Sequence, residues 1–251
     1  MALLRTVKLK KYFGDTHAVD GVDFTVQKGE FLSLVGSNGA GKTTLVNLIS
    51  AFLRPDSGQI FFEDKDITFA SVDERLRAGI ARSFQLVNLF DDLTAFENIS
   101  LSIFSRDRKT LRLMRLADQD ADVRREADDL LHQFGLKSKR QVPVRGLAQG
   151  ERKLLDVAVA YALRPKLLFL DEPTSGVSTR DKTQIMDIIS SVVRAGNVTA
   201  VVIEHDMEVV FRYSDRVVAM HQGTILADGT PDEIQRDPAV AANLLGVPAV
   251  S

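Results

Sequence analysis

The stretch GSNGAGKTT, Gly36 to Thr44, fits the pattern of a glycine, four residues and Gly-Lys-Thr, and few folds can host it. It needs a buried strand to deliver the chain to the turn and a helix to receive it. EFLSLVG before it reads as an apolar strand that stops at Gly36. TTLVNLISAFL after it places Leu45, Leu48, Ile49 and Phe52 at helical spacing and ends before Pro55. In such a strand, loop and helix unit the glycines Gly36, Gly39 and Gly41 let backbone N–H groups wrap a β-phosphate, and the helix N-terminus adds positive potential. Lys42 reaches the β/γ-phosphates, and the Thr43 hydroxyl can ligate Mg²⁺. The bland alternative, a glycine-rich turn, leaves the flanking strand and helix unexplained.

The remaining pattern fits an α/β chain. LLRTVKLKKYF and AVDGVDFTVQKG read as strands, the second alternating at Val22, Phe24 and Val26. From about 71 to 163 the pattern turns helical. SVDERLRAGI and TAFENI each open with a capping box, Ser71 with Glu74 and Thr94 with Glu97. In DVRREADDLLHQFGL, Val123, Ala127, Leu130, Leu131 and Phe134 share one face, with Gly135 as a C-terminal stop. KLLFLDEP and TAVVIEHD then return as short apolar strands separated by a helical TRDKTQIMDIISSVVRAG, which indicates a mainly parallel sheet with helices on its faces. DRVVAMHQGTILADG reads as a hairpin, and TPDEI starts a last helix capped by Thr230.

KLLFLDEP delivers Asp171 and Glu172 to the C-terminal end of its strand, where ligands of parallel sheets gather. Asp171 is placed to hold Mg²⁺ through water, and Glu172 to polarise a water attacking a γ-phosphate. Taken alone the pair reads more readily as a solvated strand end. His205 closes another apolar run, where a histidine could contact the γ-phosphate region or the base carboxylate; a lone histidine is more often structural, and Gln85 in ARSFQLVNLF carries little weight alone. GLAQGERKLLDVAVA runs from a polar, flexible start into a helical pattern, so its free N–H groups could hold an anion or be satisfied by Gln149 or water. The residues leave both readings open.

Composition limits the rest. With 251 residues and 45% hydrophobic content the chain can bury a sizeable core. Its 32 basic and 34 acidic residues nearly cancel, so no sequence-wide basic field points to nucleic acid as a partner. The absence of cysteine excludes disulfides, thiolate metal sites and cysteine nucleophiles. No stretch approaches the roughly 20 apolar residues of a membrane-spanning helix, and MALLRTVKLKKYFGD lacks the long apolar region of a signal peptide; a soluble chain is expected.

Taken in order, these motifs resemble the ATP-binding subunit of ABC transporters over nearly the whole chain. GSNGAGKTT (Gly36, Ser37, Asn38, Gly39, Ala40, Gly41, Lys42, Thr43, Thr44) matches the Walker A loop, and Gln85 the Q-loop glutamine. Leu147, Ala148, Gln149, Gly150 and Glu151 match the signature, LLFLDEP the Walker B strand, and His205 the switch histidine. Phe13 aligns with the aromatic residue that stacks on adenine. The resemblance implies a P-loop NTPase core, a mainly parallel sheet with flanking helices, joined to an N-terminal antiparallel β subdomain and a helical subdomain. It makes 1–251 one ATPase domain, with 1–70 and 164–251 as core and about 71–163 helical. It also implies ATP and Mg²⁺ as cofactors, with Thr43, Gln85 and Asp171 around the metal and Glu172, His205, Lys42 and Gln85 in hydrolysis.

Finer matches, GIARSFQLVNLFDDLTAFENI, VVIEHDM and GTPDEIQRDPAVAANLLG, are similar to the LivG-like ATPases of branched-chain amino-acid uptake. Urea-uptake and lipopolysaccharide-export ATPases have a similar size and tail. The implied partners are a second ATPase subunit docked head to tail, two membrane-spanning permease subunits and, indirectly, a solute-binding protein, at the cytoplasmic side of the membrane. A groove after Gln85, lined by Leu86, Val87, Phe90 and Leu93, would receive a helix of the membrane subunit, unless those side chains are core. Non-transport relatives of the superfamily carry very long coiled coils or two ATPase domains, which this chain lacks. Two departures stand out: the usual Leu-Ser-Gly-Gly-Gln signature is here Leu-Ala-Gln-Gly-Glu, without the serine hydroxyl, and Ser178 stands where the family normally has aspartate, which puts one cross-dimer contact in doubt.

Overall fold

The N-terminal run forms a long strand, β1 (Ala2–Phe13), in the computed structural model, which describes residues 1–83, 89–108 and 120–245. It pairs antiparallel with β2 (Thr16–Val22) and β3 (Thr25–Gln27). Val22, Phe24 and Val26 are buried there, as the period-2 alternation predicts. The chain continues through β4 (Phe31–Gly36), buried at all six residues, into α1 (Lys42–Ile49). Phe52 lies beyond the end of that helix and is half exposed, because Ala51 turns into the left-handed region at φ 65°. A hairpin follows, β5 (Ser57–Phe62) and β6 (Lys65–Asp66), and β5 joins β1 to complete an all-antiparallel sheet of order β2-β1-β5-β6, with β3 also on β1. The hairpin escapes the sequence reading because its two-residue turn is Glu63-Asp64, both with positive φ, rather than the Asn-Gly type that announces such turns.

The expectation of a helical stretch from about 71 to 163 needs one correction. After α2 (Val72–Ala78) the chain forms a three-residue strand, β7 (Ile80–Arg82), which pairs parallel with a strand of the core sheet. Three residues are too few to display a period. The helical part proper is α3 (Ala95–Arg106), α4 (Ala121–Gln133) and α5 (Gln149–Tyr161). Both expected capping boxes are formed, and Gly135 follows α4 at φ 71°. The core sheet is completed by β8 (Leu167–Asp171), α6 (Thr179–Ala195), β9 (Thr199–Ile203), α7 (Met207–Tyr213), and the antiparallel hairpin β10 (Arg216–His221) and β11 (Thr224–Gly229). Thr230 then caps α8 (Pro231–Arg236) through a capping box.

The sheet order is β11-β10-β4-β9-β8-β7, parallel except at β11. Strands β8 and β9 are buried on both faces. Leu168, Leu170, Ala200 and Val202 pack with the helical side, whereas Leu167, Phe169, Val201 and Ile203 pack with α1 and the antiparallel sheet. Beside the end of α1, Arg75 of α2 is only 2% exposed. Its guanidinium donates to the carbonyls of Leu48, Ile49, Thr68 and Ala70, so a charged group supplies the missing partners at the end of α1.

A second guanidinium ties the helices together. Arg106 of α3 grips Glu126 of α4 with both terminal nitrogens, at 2.5 and 2.9 Å, and also donates to Ala162 O. That hydrogen bonding holds the Glu126 carboxyl below its ordinary 4.5. An acid with a depressed folded-state pKa contributes stability that is complete above its unfolded value and is lost as pH falls through the folded one. Glu126→Gln should therefore cost about 1 kcal/mol at neutral pH and flatten the acid limb of a thermal-unfolding series below pH 4.5.

Candidate nucleotide-binding site

The parallel order brings the C-terminal ends of β4, β8 and β9 to one edge of the sheet. There the loop 36–41 turns tightly against its surroundings. A Cβ at Gly36 would meet Met220 O at 2.5 Å, and one at Gly41, whose φ is 104°, would meet Ala18 O at 2.2 Å. Only glycine allows this approach. Gly41 caps α1 without a side-chain partner, and the first turn carries no acid, so nothing within the helix itself offsets the positive potential of its start. Lys42 is 5% exposed and folds back over the loop, its Nζ donating to Gly36 O at 2.6 Å and Ser37 O at 3.1 Å. Burial pulls the amine below its ordinary 10.5, while the nearby carboxylates of Glu172 and Asp171 push it back up.

Asp171 and Glu172 part company at the end of β8. Asp171 is 4% exposed, and its Oδ2 accepts from Arg82 of β7 at 2.7 Å; the same guanidinium donates to Asn47 Oδ1 of α1 at 2.5 Å. Glu172 adopts φ 48°, a left-handed conformation for a residue with a side chain, which costs about 1–3 kcal/mol and persists only where surroundings fix it. Its N–H donates to Ile203 O at 2.9 Å, and its Oε1 lies 3.1 Å from His205 Nε2, a hydrogen bond when that nitrogen carries the proton. Beside them Glu204 is buried and accepts from the Thr174 N–H and hydroxyl. The result is a cleft of about 410 Å³ whose walls include Phe13, Asn38, Thr43, Thr44, Glu172 and His205.

Most of the expected residues converge. Gly39, Ala40, Gly41 and Lys42 also line the cleft, while Gly36 and Ser37 contribute the carbonyls that Lys42 engages. Phe13 lines it too, 49% exposed at the end of β1, with the Lys11 ammonium 5.6 Å from its ring centroid. Gln85, Leu86 and Val87 lie outside the described residues. Phe90 is exposed and Leu93 partly so. Asn47, Arg82, Lys153 and Glu204 escaped the sequence reading, since a lone polar residue in an apolar stretch gives no periodic signal.

The residues 147–151 do not line this cleft. Leu147 is buried, and Ala148 is the N-cap of α5, its N–H donating to Glu151 Oε2 at 2.9 Å. An alanine cannot return the bond, so half of a capping box is missing. The amide of Gln149 lies so close to Gly176 that a Cβ there would meet it at 2.4 Å. Ser178 caps α6, its Oγ accepting from Asp181 N and donating to Asp181 Oδ2. This gives the serine a local purpose.

A family model described as ABC transporter matches residues 19–175, the span from β2 past Glu172. The chain belongs to the ABC transporter family. As an ABC ATPase it binds ATP and hydrolyses it. A second model, described as Branched-chain amino acid ATP-binding cassette transporter, matches residues 224–243. The chain is 33% identical to the High-affinity branched-chain amino acid transport ATP-binding protein LivG of Salmonella typhimurium, with 97% of this chain and 98% of that one covered. It is 34% identical to the corresponding BraF protein of Pseudomonas aeruginosa, with the same coverage. An ATP-binding cassette of an ABC transporter, solved in its ADP conformation, superposes with a TM-score of 0.87 at 30% identity, covering 98% of this chain and 99% of that one.

Proposed function

We propose that this ABC ATPase powers uptake of branched-chain or other hydrophobic amino acids, working as one of two ATPase chains beneath two membrane-spanning subunits fed by a solute-binding protein. The observation that carries this reading is likeness along the full length to ATPases named for branched-chain amino-acid transport, joined to the match of the tail 224–243. Among the described residues no helix is long and apolar enough to cross a membrane, so attachment to the cytoplasmic face falls to the partner subunits. Recovery of the tagged chain from membranes tests this. Two membrane subunits and binding of leucine, isoleucine or valine by the associated solute-binding protein are expected; urea or lipopolysaccharide machinery, or only a free monomer after mild extraction, would overturn it.

In this reading the loop 36–44 cradles the phosphates, Phe13 stacks on adenine, and Lys42 exchanges its two carbonyl partners for β/γ-phosphate oxygens. Magnesium fits the donors present: Mg²⁺ characteristically takes one or two protein oxygens with phosphates and waters, and Thr43 lines the cleft while Asp171 ends strand β8. Thr43 and Asp171 supply such oxygens, with Gln85 as the third group. When bound, the ion would supply positive charge against that developing on the phosphates during transfer. Glu172 accepts the proton of the attacking water, and His205 orients that carboxylate.

Residues 147–151 would then meet the ATP held by the second subunit, which accounts for their position off their own cleft. ATP closes the pair because its γ-phosphate touches both chains, and hydrolysis removes that link. The missing serine hydroxyl weakens the grip by about 1.5–3 kcal/mol. Ala148→Ser should supply the hydroxyl and tighten ATP-dependent pairing, read by sedimentation with hydrolysis blocked. An unchanged or weaker dimer would show that the hydroxyl is not what limits it.

A further inference from the structure

We propose that Lys153 is a positioning residue for Glu172, tying the carboxylate of each chain to the helix that carries its signature residues. The inference rests on Glu172 being the base. Lys153 lies one turn into α5 and is 6% exposed. Its Nζ donates to the main-chain oxygen of Glu172 at 3.1 Å and to Ser175 Oγ at 2.9 Å. Among the described residues no carboxylate forms an ion pair with it. A buried ammonium without a counter-ion is an expensive way to fill space that an apolar side chain would fill more cheaply.

What the charge secures is the turn. Glu172 sits at φ 48°, and such a conformation holds only when its peptide groups are fixed from outside. The N–H is fixed by Ile203 O, and the carbonyl by Ser175 N–H and by Lys153. Two of those three tethers come from the core sheet and its following loop. Lys153 alone comes from the helical layer. The same helix reaches the loop a second time, where Gln149 fits against Gly176. A shift of α5 when its N-terminal end engages the partner's nucleotide therefore moves the Glu172 main chain, and with it the carboxylate facing the chain's own cleft.

The test uses the transporter complex recovered from membranes, with Lys153→Met and Lys153→Arg beside Glu172→Gln. Lys153→Met should lower kcat at least about tenfold, since small misplacements of a reacting group are costly, while KM for ATP stays within about twofold. Lys153→Arg should restore most of the loss by donating to the same carbonyl. A general packing role predicts reduced thermal stability with kcat and KM unchanged, and that result overturns the inference. If Lys153→Met does not fold, Ser175→Ala decides: it frees one anchor of the ammonium, and kcat should fall about two- to threefold, an unchanged kcat being contrary. Full turnover in Glu172→Gln would overturn the reading of the base itself. A silent Glu172→Gln beside a fully active Lys153→Met overturns the coupling alone.

Discussion

Glu172→Gln should retain ATP and almost stop turning it over, with hydrolysis falling by about 10²- to 10⁴-fold, the range expected when a positioned general base is removed. The substitution is nearly isosteric. The left-handed backbone, the N–H bond to Ile203 O and the Lys153 contact to the carbonyl do not involve the side chain. What disappears is the ability to take a proton from water, because the carboxylate that lies 3.1 Å from the His205 imidazole becomes an amide. The measurement is steady-state phosphate release alongside equilibrium binding of labelled ATP. Binding kept and turnover lost locates the defect in the chemical step; unimpaired turnover would remove Glu172 from its role.

Lys42→Ala should act earlier. Its ammonium sits under the loop, bonded to Gly36 O and Ser37 O and depressed in pKa by burial, and an incoming triphosphate offers it much better partners. A charge-assisted hydrogen bond contributes about 1.5–3 kcal/mol, so nucleotide affinity should fall about 10- to 100-fold and hydrolysis should disappear. Calorimetric titration with ADP and ATP separates the two effects. The role proposed for Lys42 at the β/γ-phosphates requires ATP to lose more affinity than ADP. Equal losses would place the amine elsewhere.

The site was legible where a residue type and a spacing are jointly demanded by chemistry. The loop 36–44 had to be glycine-rich between a strand and a helix, and Gly36 and Gly41 are indeed pressed against backbone oxygens. The capping boxes at Ser71, Thr94 and Thr230 were legible for the same reason, since side chain and spacing make one hydrogen-bonded unit. The hairpin at Glu63-Asp64 and the short β7 were not, because neither carries the residue type or the length that gives a signal. Arg75, Arg82 and Lys153 were hidden for another reason. Each is a charged residue in an ordinary helix or strand, and only the fold reveals that carbonyls or carboxylates from distant segments surround it. Ser178 was read as a departure from its family, and the fold gives it a helix to cap.

The strand order also dictates when the site can exist. Strand β4, which launches the phosphate loop, lies between β9 and β10, with Phe31 beside Ala200 and Leu32 beside Arg216. Chains emerge from the ribosome at about 5–20 residues per second, N-terminal segments first. The loop must therefore wait for nearly the whole polypeptide before either flank of its strand is covered. Until β10 arrives, Gly36 lacks the Met220 carbonyl it rests against, and the unpaired N–H and C=O groups along the edges of β4 stand open to the wrong partner. A nascent chain arrested before residue 199 should thus bind no nucleotide and should attract chaperones, although every residue of its phosphate loop has already been made.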